Sequence, residues 1–300
     1  MSYASLRSIA LMSALTLAFA TPSPLLAQEQ AAAPKAGKPA PAKATAGPKA
    51  AAKKKAPKVD AKTQAQINDA KKLLASAQKS DVEAAIQSLG LLGVPAAVDP
   101  LVERVRQGLP SDLLETAIVT LMALGQPSAG PVLFDLARYR RPEIRKLSIE
   151  AIAAVRPVGG EVVLAAALND SEADVRAAAA VGLGEIGSPA SIDTLFLALD
   201  HGNHDAAAAI GKLVPARDVK RLFTYLGKVP FRSLAPAFAE TLKRKDVSEQ
   251  DKLAVVARLE EVGTGEVKGF FNDLMASTEG GLPPNVSKAV LRAMQEISGS

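Results

Sequence analysis

The residues best suited to chemistry are two histidines, His201 and His204, in the run Asp200-His201-Gly202-Asn203-His204-Asp205. Two imidazoles three residues apart, flanked by carboxylates, offer the nitrogen and oxygen ligands that zinc or iron takes at roughly 2.0 to 2.2 Å. A polar loop between two structural units accounts for the same residues without a metal. The chain has no cysteine, which removes disulfides, thiolate metal sites, a cysteine nucleophile and the lipid-bearing cysteine of a lipoprotein. Gly-rich phosphate loops, Gly-x-Ser-x-Gly elbows and His-Glu-x-x-His are absent as well. No catalytic residue, metal or cofactor is therefore expected, and the chain reads as a protein that is not an enzyme.

The other chemistry on offer is charge. Residues 1 to 63 hold ten basic side chains against two acidic ones, a net +8. The whole chain is +5, so the remainder carries −3 and is faintly acidic. Lys49, Lys53, Lys54, Lys55 and Lys58 form the densest part of this basic segment. Residues 28 to 60 contain five prolines and no leucine, isoleucine or aromatic residue, a composition that cannot bury enough surface to offset the entropy of ordering. A disordered tail is expected there. It is either a solvated spacer or a polyanion-attracting arm that acts by counterion release.

Upstream, Arg7 is followed by an apolar run from Ile9 to Ala20 broken only by Ser13 and Thr16. That is too short to span a bilayer and suits a signal-peptide core, with cleavage after Ala20 or Ala27. Residues 1 to 27 are thus expected to be a signal peptide, the mature chain to lack a transmembrane segment, and the protein to be periplasmic or secreted. In that setting the polyanions within reach of the tail are anionic surfaces of the cell envelope, not nucleic acid.

The elements that must position any site are clearest between residues 169 and 200. Val175, Ala178, Ala179, Gly182, Leu183 and Ile186 fall on one stripe of a 3.6-residue helix, with Ser171 and Asp174 spaced as a capping box. Gly187 can end that helix in the left-handed conformation, and Pro189 suits the start of a second, striped by Ile192, Leu195, Phe196 and Leu199. The same turn recurs at Pro95, Pro127, Pro157 and Pro215, in two of them (157 and 215) without its glycine. Successive turn prolines, from Pro95 to Pro215, are separated by 32, 30, 32 and 26 residues. Two helices every 31 or so residues is the signature of an all-α solenoid of antiparallel helix pairs.

This pattern resembles the HEAT-repeat family, in particular its phycobilisome-lyase-like form. The likeness rests on Leu168-Asn169-Asp170, Asp174-Val175-Arg176, Ala177 to Ala180, Leu183 to Gly187 and Pro189, with weaker copies around Pro142 to Arg145 and Ser80 to Glu83. It covers residues 80 to 230 well and 231 to 300 by pattern only. The resemblance implies a HEAT-like α-solenoid over residues 64 to 300 with capping helices at its ends. It also implies that Asp174 and Arg176 belong to a ladder between neighbouring repeats. HEAT-like metal hydroxylases carry several His-Glu pairs, and here His201 precedes glycine and His204 precedes aspartate. The namesake lyases attach bilins to light-harvesting proteins.

Helices are expected at 64–77, 81–92, 99–107, 112–124, 131–139, 142–155 and 160–168, then in the template pair, at 204–213 and at 216–226. Pro230, Pro236 and the lysine-rich stretch 242–246 are expected to break the period. In a solenoid of this kind the second helices line the concave side. Their outward residues, Glu103, Arg104, Asp135, Arg138, Asp193, Thr194, Lys220 and Arg221, would form a ribbon of mixed sign, which favours a protein or peptide partner in the cell envelope over nucleic acid. The same residues are also what solvent-facing charges would look like. The expected function is a non-catalytic scaffold. The alternatives are an enzyme of the bilin-lyase or metal-hydroxylase type, or a polyanion or nucleic-acid binder acting through the tail.

Overall fold

The first helix is started by a side chain: Asp60 Oδ1 accepts the Thr63 amide at 2.8 Å, and Oδ2 accepts the Thr63 hydroxyl at 2.8 Å. This satisfies one of the amides that every helix start leaves without an internal partner. The structure, a computed structural model, describes residues 59–277 and 281–299. The expected signal peptide, residues 28–58 of the expected tail and the lysines at 49, 53, 54, 55 and 58 lie outside the described residues.

Helices α1 (Ala61–Leu74), α2 (Lys79–Leu92), α3 (Val98–Gln107), α4 (Ser111–Leu124), α5 (Gly130–Leu136), α6 (Pro142–Val155), α7 (Gly160–Ala167), α8 (Ala173–Ile186), α9 (Ile192–Asp200) and α10 (Ala206–Leu213) follow in order. Then come α11 (Phe231–Lys243), α12 (Glu249–Val262), α13 (Gly265–Ser277) and α14 (Pro284–Gly299). Among the described residues there is no strand, only an isolated bridge between Leu226 and Val229. No helix among them is long and apolar enough to cross a membrane.

Two layers result. The first helices α2, α4, α6, α8 and α10 pack one upon the next, and the second helices α3, α5 and α7 do the same behind them. Fully buried Ile86, Ile118, Ile149, Ile152, Leu183 and Ile210 come from the first layer, and Leu101, Leu133, Leu164, Leu195 and Phe196 from the second. Alanines at 85, 117, 151, 179 and 207, also fully buried, let neighbouring axes come close where larger side chains would hold them apart. With one tryptophan-free, leucine- and alanine-rich seam shared between repeats, each helix pair depends on its neighbours for a dry interior.

The turns explain the proline period. Gly93, Gly125 and Gly187 end α2, α4 and α8 with φ of 62°, 63° and 79°. Pro95, Pro127 and Pro189 then each open a single 3₁₀ turn that redirects the chain into the second helix. After α6 the same left-handed position is held by Arg156, at φ 54°, the one non-glycine with positive φ among the described residues. Its guanidinium donates from Nη2 to the Glu185 carbonyl at the end of α8, 2.8 Å away. A hydrogen bond to the next repeat thus offsets part of the backbone strain at a residue with a Cβ.

Two expectations are corrected. Ser171 does not cap α8: the N-cap is Glu172, no side chain caps the helix, and the Glu172 amide donates to Asp170 Oδ1 at 2.9 Å in the turn just ahead of it. Residues 216–225 are a ten-residue 3₁₀ stretch and not an α-helix. Pro236 lies inside α11, where Arg232, whose carbonyl loses its partner, is on the exposed side together with Pro236.

Candidate partner-binding surface

The arginines sort first, because several do structural work. Arg145, in the first turn of α6, clasps Asp170 after α7 with Nε to Oδ2 at 2.8 Å and Nη2 to Oδ1 at 2.7 Å. Its Nη1 donates to the Tyr139 carbonyl at 3.1 Å. Both side chains are largely buried, 14% and 13% exposed, and the guanidinium holds the Asp170 carboxyl below the usual carboxylate range. Arg176, one repeat on, donates to the carbonyls of Asp170 and Ser171 at 2.8 and 2.9 Å. A ladder between repeats is therefore present, with different rungs: Asp174, expected beside Arg176, lies 3.6 Å from Lys146 and is exposed.

The expected ribbon is distributed along the second layer. Arg104 is half-buried and donates from Nε to the Leu74 carbonyl at 2.8 Å, which closes the end of α1. Asp193 and Arg221 meet across two repeats at 2.6 Å, and the Arg221 guanidinium sits 3.8 Å from the centre of the Phe196 ring. Phe196 in turn stacks on Tyr225 with ring centroids 5.7 Å apart. Burial, reinforced by a hydrogen bond to Asp200, pushes the Tyr225 hydroxyl up to about 12. Glu103, Asp135, Arg138 and Lys220 are exposed, and Thr194 is half-buried.

His201 is exposed, and His204 Nδ1 shares a hydrogen bond with Ser233 Oγ at 3.2 Å, which ties the start of α10 to α11. Among the described residues no three His, Asp or Glu side chains are grouped so as to hold a metal ion.

A groove appears on the other layer, across α4, α6 and α8. One part, of about 560 Å³, is lined by Glu115, Glu143, Lys146, Leu147, Glu150, Glu172 and Asp174. An adjoining part, of about 460 Å³, shares Lys146, Glu150 and Asp174 and runs on to Met122, Ala154, Ala177, Ala178, Val181 and Glu185. Six carboxylates (Glu115, Glu143, Glu150, Glu172, Asp174, Glu185) thus face one ammonium over a floor of alanine, valine and methionine. The cause is visible in the spacing. Glu143, Lys146, Glu150 and Ala154 form one outward row of α6, and Asp174, Ala177, Val181 and Glu185 the corresponding row of α8, at i, i+3, i+7 and i+11. Small side chains at the middle of the second row leave the depression; acids at its ends line the rim.

Stacked helix pairs with a shared core and no sheet among the described residues define an α-solenoid. Residues 67–153 and 136–214 match the model for HEAT repeats, and the chain belongs to the HEAT-repeat family. Among solved structures it is similar to an engineered protein at 19% identity, covering 77% of this chain and 68% of that one with a TM-score of 0.41. It is also similar to the complex of CpcE and CpcF of phycocyanin lyase from Nostoc sp. PCC7120, at 17% identity over 84% of this chain and 100% of that one, TM-score 0.41. Human deoxyhypusine hydroxylase is similar at 14% identity over 79% of this chain and 98% of that one, TM-score 0.38. At such identities the likeness concerns the fold and not the activity. No curated protein matches the sequence.

Proposed function

We propose that this protein is a non-catalytic scaffold of the cell envelope that binds a protein partner, and that the groove across α4, α6 and α8 seats a segment of that partner rich in lysine or arginine. The observation that carries the reading is the charge of the groove: six carboxylates against Lys146, on rigid helices, over an apolar floor. Among the described residues Glu115, Glu150, Glu172 and Glu185 have no side-chain ion pair, so their charge is free to face a cationic ligand. Aliphatic stems of lysine and arginine can lie on the alanine and valine floor while their heads reach the rim. Location in the envelope rests on the leader-like run Ile9–Ala20, and attraction of the tail to anionic envelope surfaces rests on its lysines.

The test is capture of partners from envelope fractions by the full chain and by the Glu150→Lys, Glu185→Lys double variant, followed by binding of each recovered partner's basic segments as synthetic peptides. The double variant is expected to lose at least tenfold in affinity for such a peptide. Equal affinity would overturn the groove assignment. The second-layer ribbon is the second reading, favoured by the exposure of Glu103, Asp135, Arg138 and Lys220 without an ion pair among the described residues. It predicts the opposite outcome, with binding lost on charge reversal at Asp135 and Arg138 and kept in the groove variant. Amino-terminal sequencing of the protein recovered from cells checks the location: a start at residue 21 or 28 supports export, and an intact Met1 overturns it.

A further inference from the structure

A second cavity, independent of the groove, lies where α11 ends and α12 begins. It measures about 1020 Å³ and is lined by Lys243, Lys245, Ser248, Glu249 and Lys252, with Leu242, Val247, Leu282 and two prolines as its apolar side. Lys252 is the unusual member. It is only 5% exposed, and its ammonium makes no ion pair or hydrogen bond with any described residue. The two carboxylates near enough to act on it are already engaged. Asp246 is held by Arg244 through Nε at 2.9 Å and Nη2 at 2.5 Å, and Glu249 accepts from Asn285 Nδ2 at 2.6 Å. Burial pulls the Lys252 ammonium below the usual lysine range. The aliphatic stem is packed away while the ammonium reaches the cavity, so a cation without a partner among the described residues faces the space where a ligand can supply the counter-charge.

The surroundings say which charge. Lys243 and Lys245 bring two further ammonium groups to the same cavity, so among the described residues its lining carries three positive charges against the one of Glu249. The cavity also opens on the start of α12, a helix of 14 residues whose N-cap is Ser248. Ser248 Oγ takes the Asp251 amide at 3.1 Å and the Ser248 carbonyl takes the Lys252 amide at 3.0 Å, which leaves the earlier amides of the helix to other acceptors. A compact anion of two charges with several acceptor oxygens suits ammonium groups and a helix start together. The apolar side suits an organic remainder, and the volume is that of a small-molecule pocket.

We propose that the cavity between α11, α12 and α14 binds a phosphate monoester group, with Lys252 as its central counter-ion and Lys243 and Lys245 at the mouth. The phosphate belongs either to a small soluble ester or to a lipid headgroup. Calorimetric titration of the full chain with inorganic phosphate and with glycerol 3-phosphate, and co-sedimentation with phosphatidic acid vesicles against phosphatidylcholine vesicles, separate the two sources. Saturable binding of glycerol 3-phosphate, tighter than inorganic phosphate, supports the soluble ester; binding to phosphatidic acid alone supports the lipid. Lys252→Met is expected to weaken the bound probe at least tenfold while raising the thermal midpoint of the ligand-free protein, since it removes the unpaired cation. Lys243→Ala with Lys245→Ala, at exposed positions that do not threaten folding, is expected to weaken it several-fold. No saturable binding of any of these probes, or unchanged affinity in both variants, overturns the proposal.

Discussion

Gly211 sits in α10 where that helix meets α11, and a Cβ built there would lie 2.4 Å from the Ala237 carbonyl oxygen and 2.7 Å from Ala237 Cα. Both are backbone atoms, so no side chain can rotate out of the way. Ordinary contact begins near 3.4 Å, which means the two helices must separate by roughly 1 Å to admit a methyl group. Overpacking of this kind costs about 1–3 kcal/mol, against a gain of about 1 kcal/mol in helix propensity from replacing glycine by alanine. With the fully buried Ile210, Ala237 and Phe238 on the same contact, the clash sits in the core and the cost falls at the upper end. Gly211→Ala is therefore expected to destabilise by about 2 kcal/mol net, a fall of about 4–8 °C in the thermal midpoint for a chain of this size. Gly269→Ala is the control: it lies inside α13 with nothing within 4 Å of its Cβ, so it should hold or raise the midpoint. Circular dichroism at 222 nm during heating reads both. If the two substitutions shift the midpoint alike, the close contact of α10 and α11 is not what the reasoning takes it to be.

The remaining predictions follow from single contacts. Asp170 has a folded pKa below its unfolded value, so its clasp with Arg145 stabilises above the unfolded carboxylate range and is lost as pH falls through the lower, folded one. Urea midpoints from pH 7 down to pH 2 should thus fall more steeply for the native chain than for Asp170→Asn, and Arg145→Ala should cost about 2 kcal/mol at pH 7 by leaving a largely buried carboxylate without its ion pair. At Arg156, alanine keeps the left-handed strain and loses the bond to the Glu185 carbonyl, whereas glycine loses only the bond. Arg156→Gly should therefore be more stable than Arg156→Ala by about 1 kcal/mol in urea titration, and the reverse order would refute the strain. Tyr225 should titrate near 12 in an ultraviolet pH titration, about two units above an ordinary tyrosine, and stability should decline between about pH 10 and about 12 as the unfolded hydroxyl ionises first. A tyrosine spectrum complete by pH 11 would contradict its burial against Phe196.

Much of the fold was legible because its signals are local. Apolar stripes of period 3.6 and the prolines at 95, 127, 157, 189 and 215 reach across no more than a few turns, and the helices they mark lie where the spacing puts them, within three residues at their ends through α9. What was not legible depends on contacts between repeats. Ser171 has the right spacing to cap α8, but the helix starts one residue later, after a turn in which Asp170, fixed by Arg145 from the preceding unit, holds the Glu172 amide. Residues 216–225 carry a helical stripe yet wind as 3₁₀. For the surface, the outward rows of α6 and α8 could be read from the same period as the core stripes. Which layer carries a depression could not, because that follows from small side chains at Ala177 and Ala178 meeting the neighbouring row. Lys252 looks like any surface lysine of an amphipathic helix, and only the packing of α11 and α14 around it buries the side chain.

Hydrogen exchange of the full chain with and without an octapeptide of alternating lysine and arginine, at low salt, measures where a cationic segment sits. Added protection confined to α4, α6 and α8, abolished by Glu150→Lys with Glu185→Lys, is the expected result. Protection along the second helices, or none at peptide concentrations that saturate other acidic surfaces, would contradict the account.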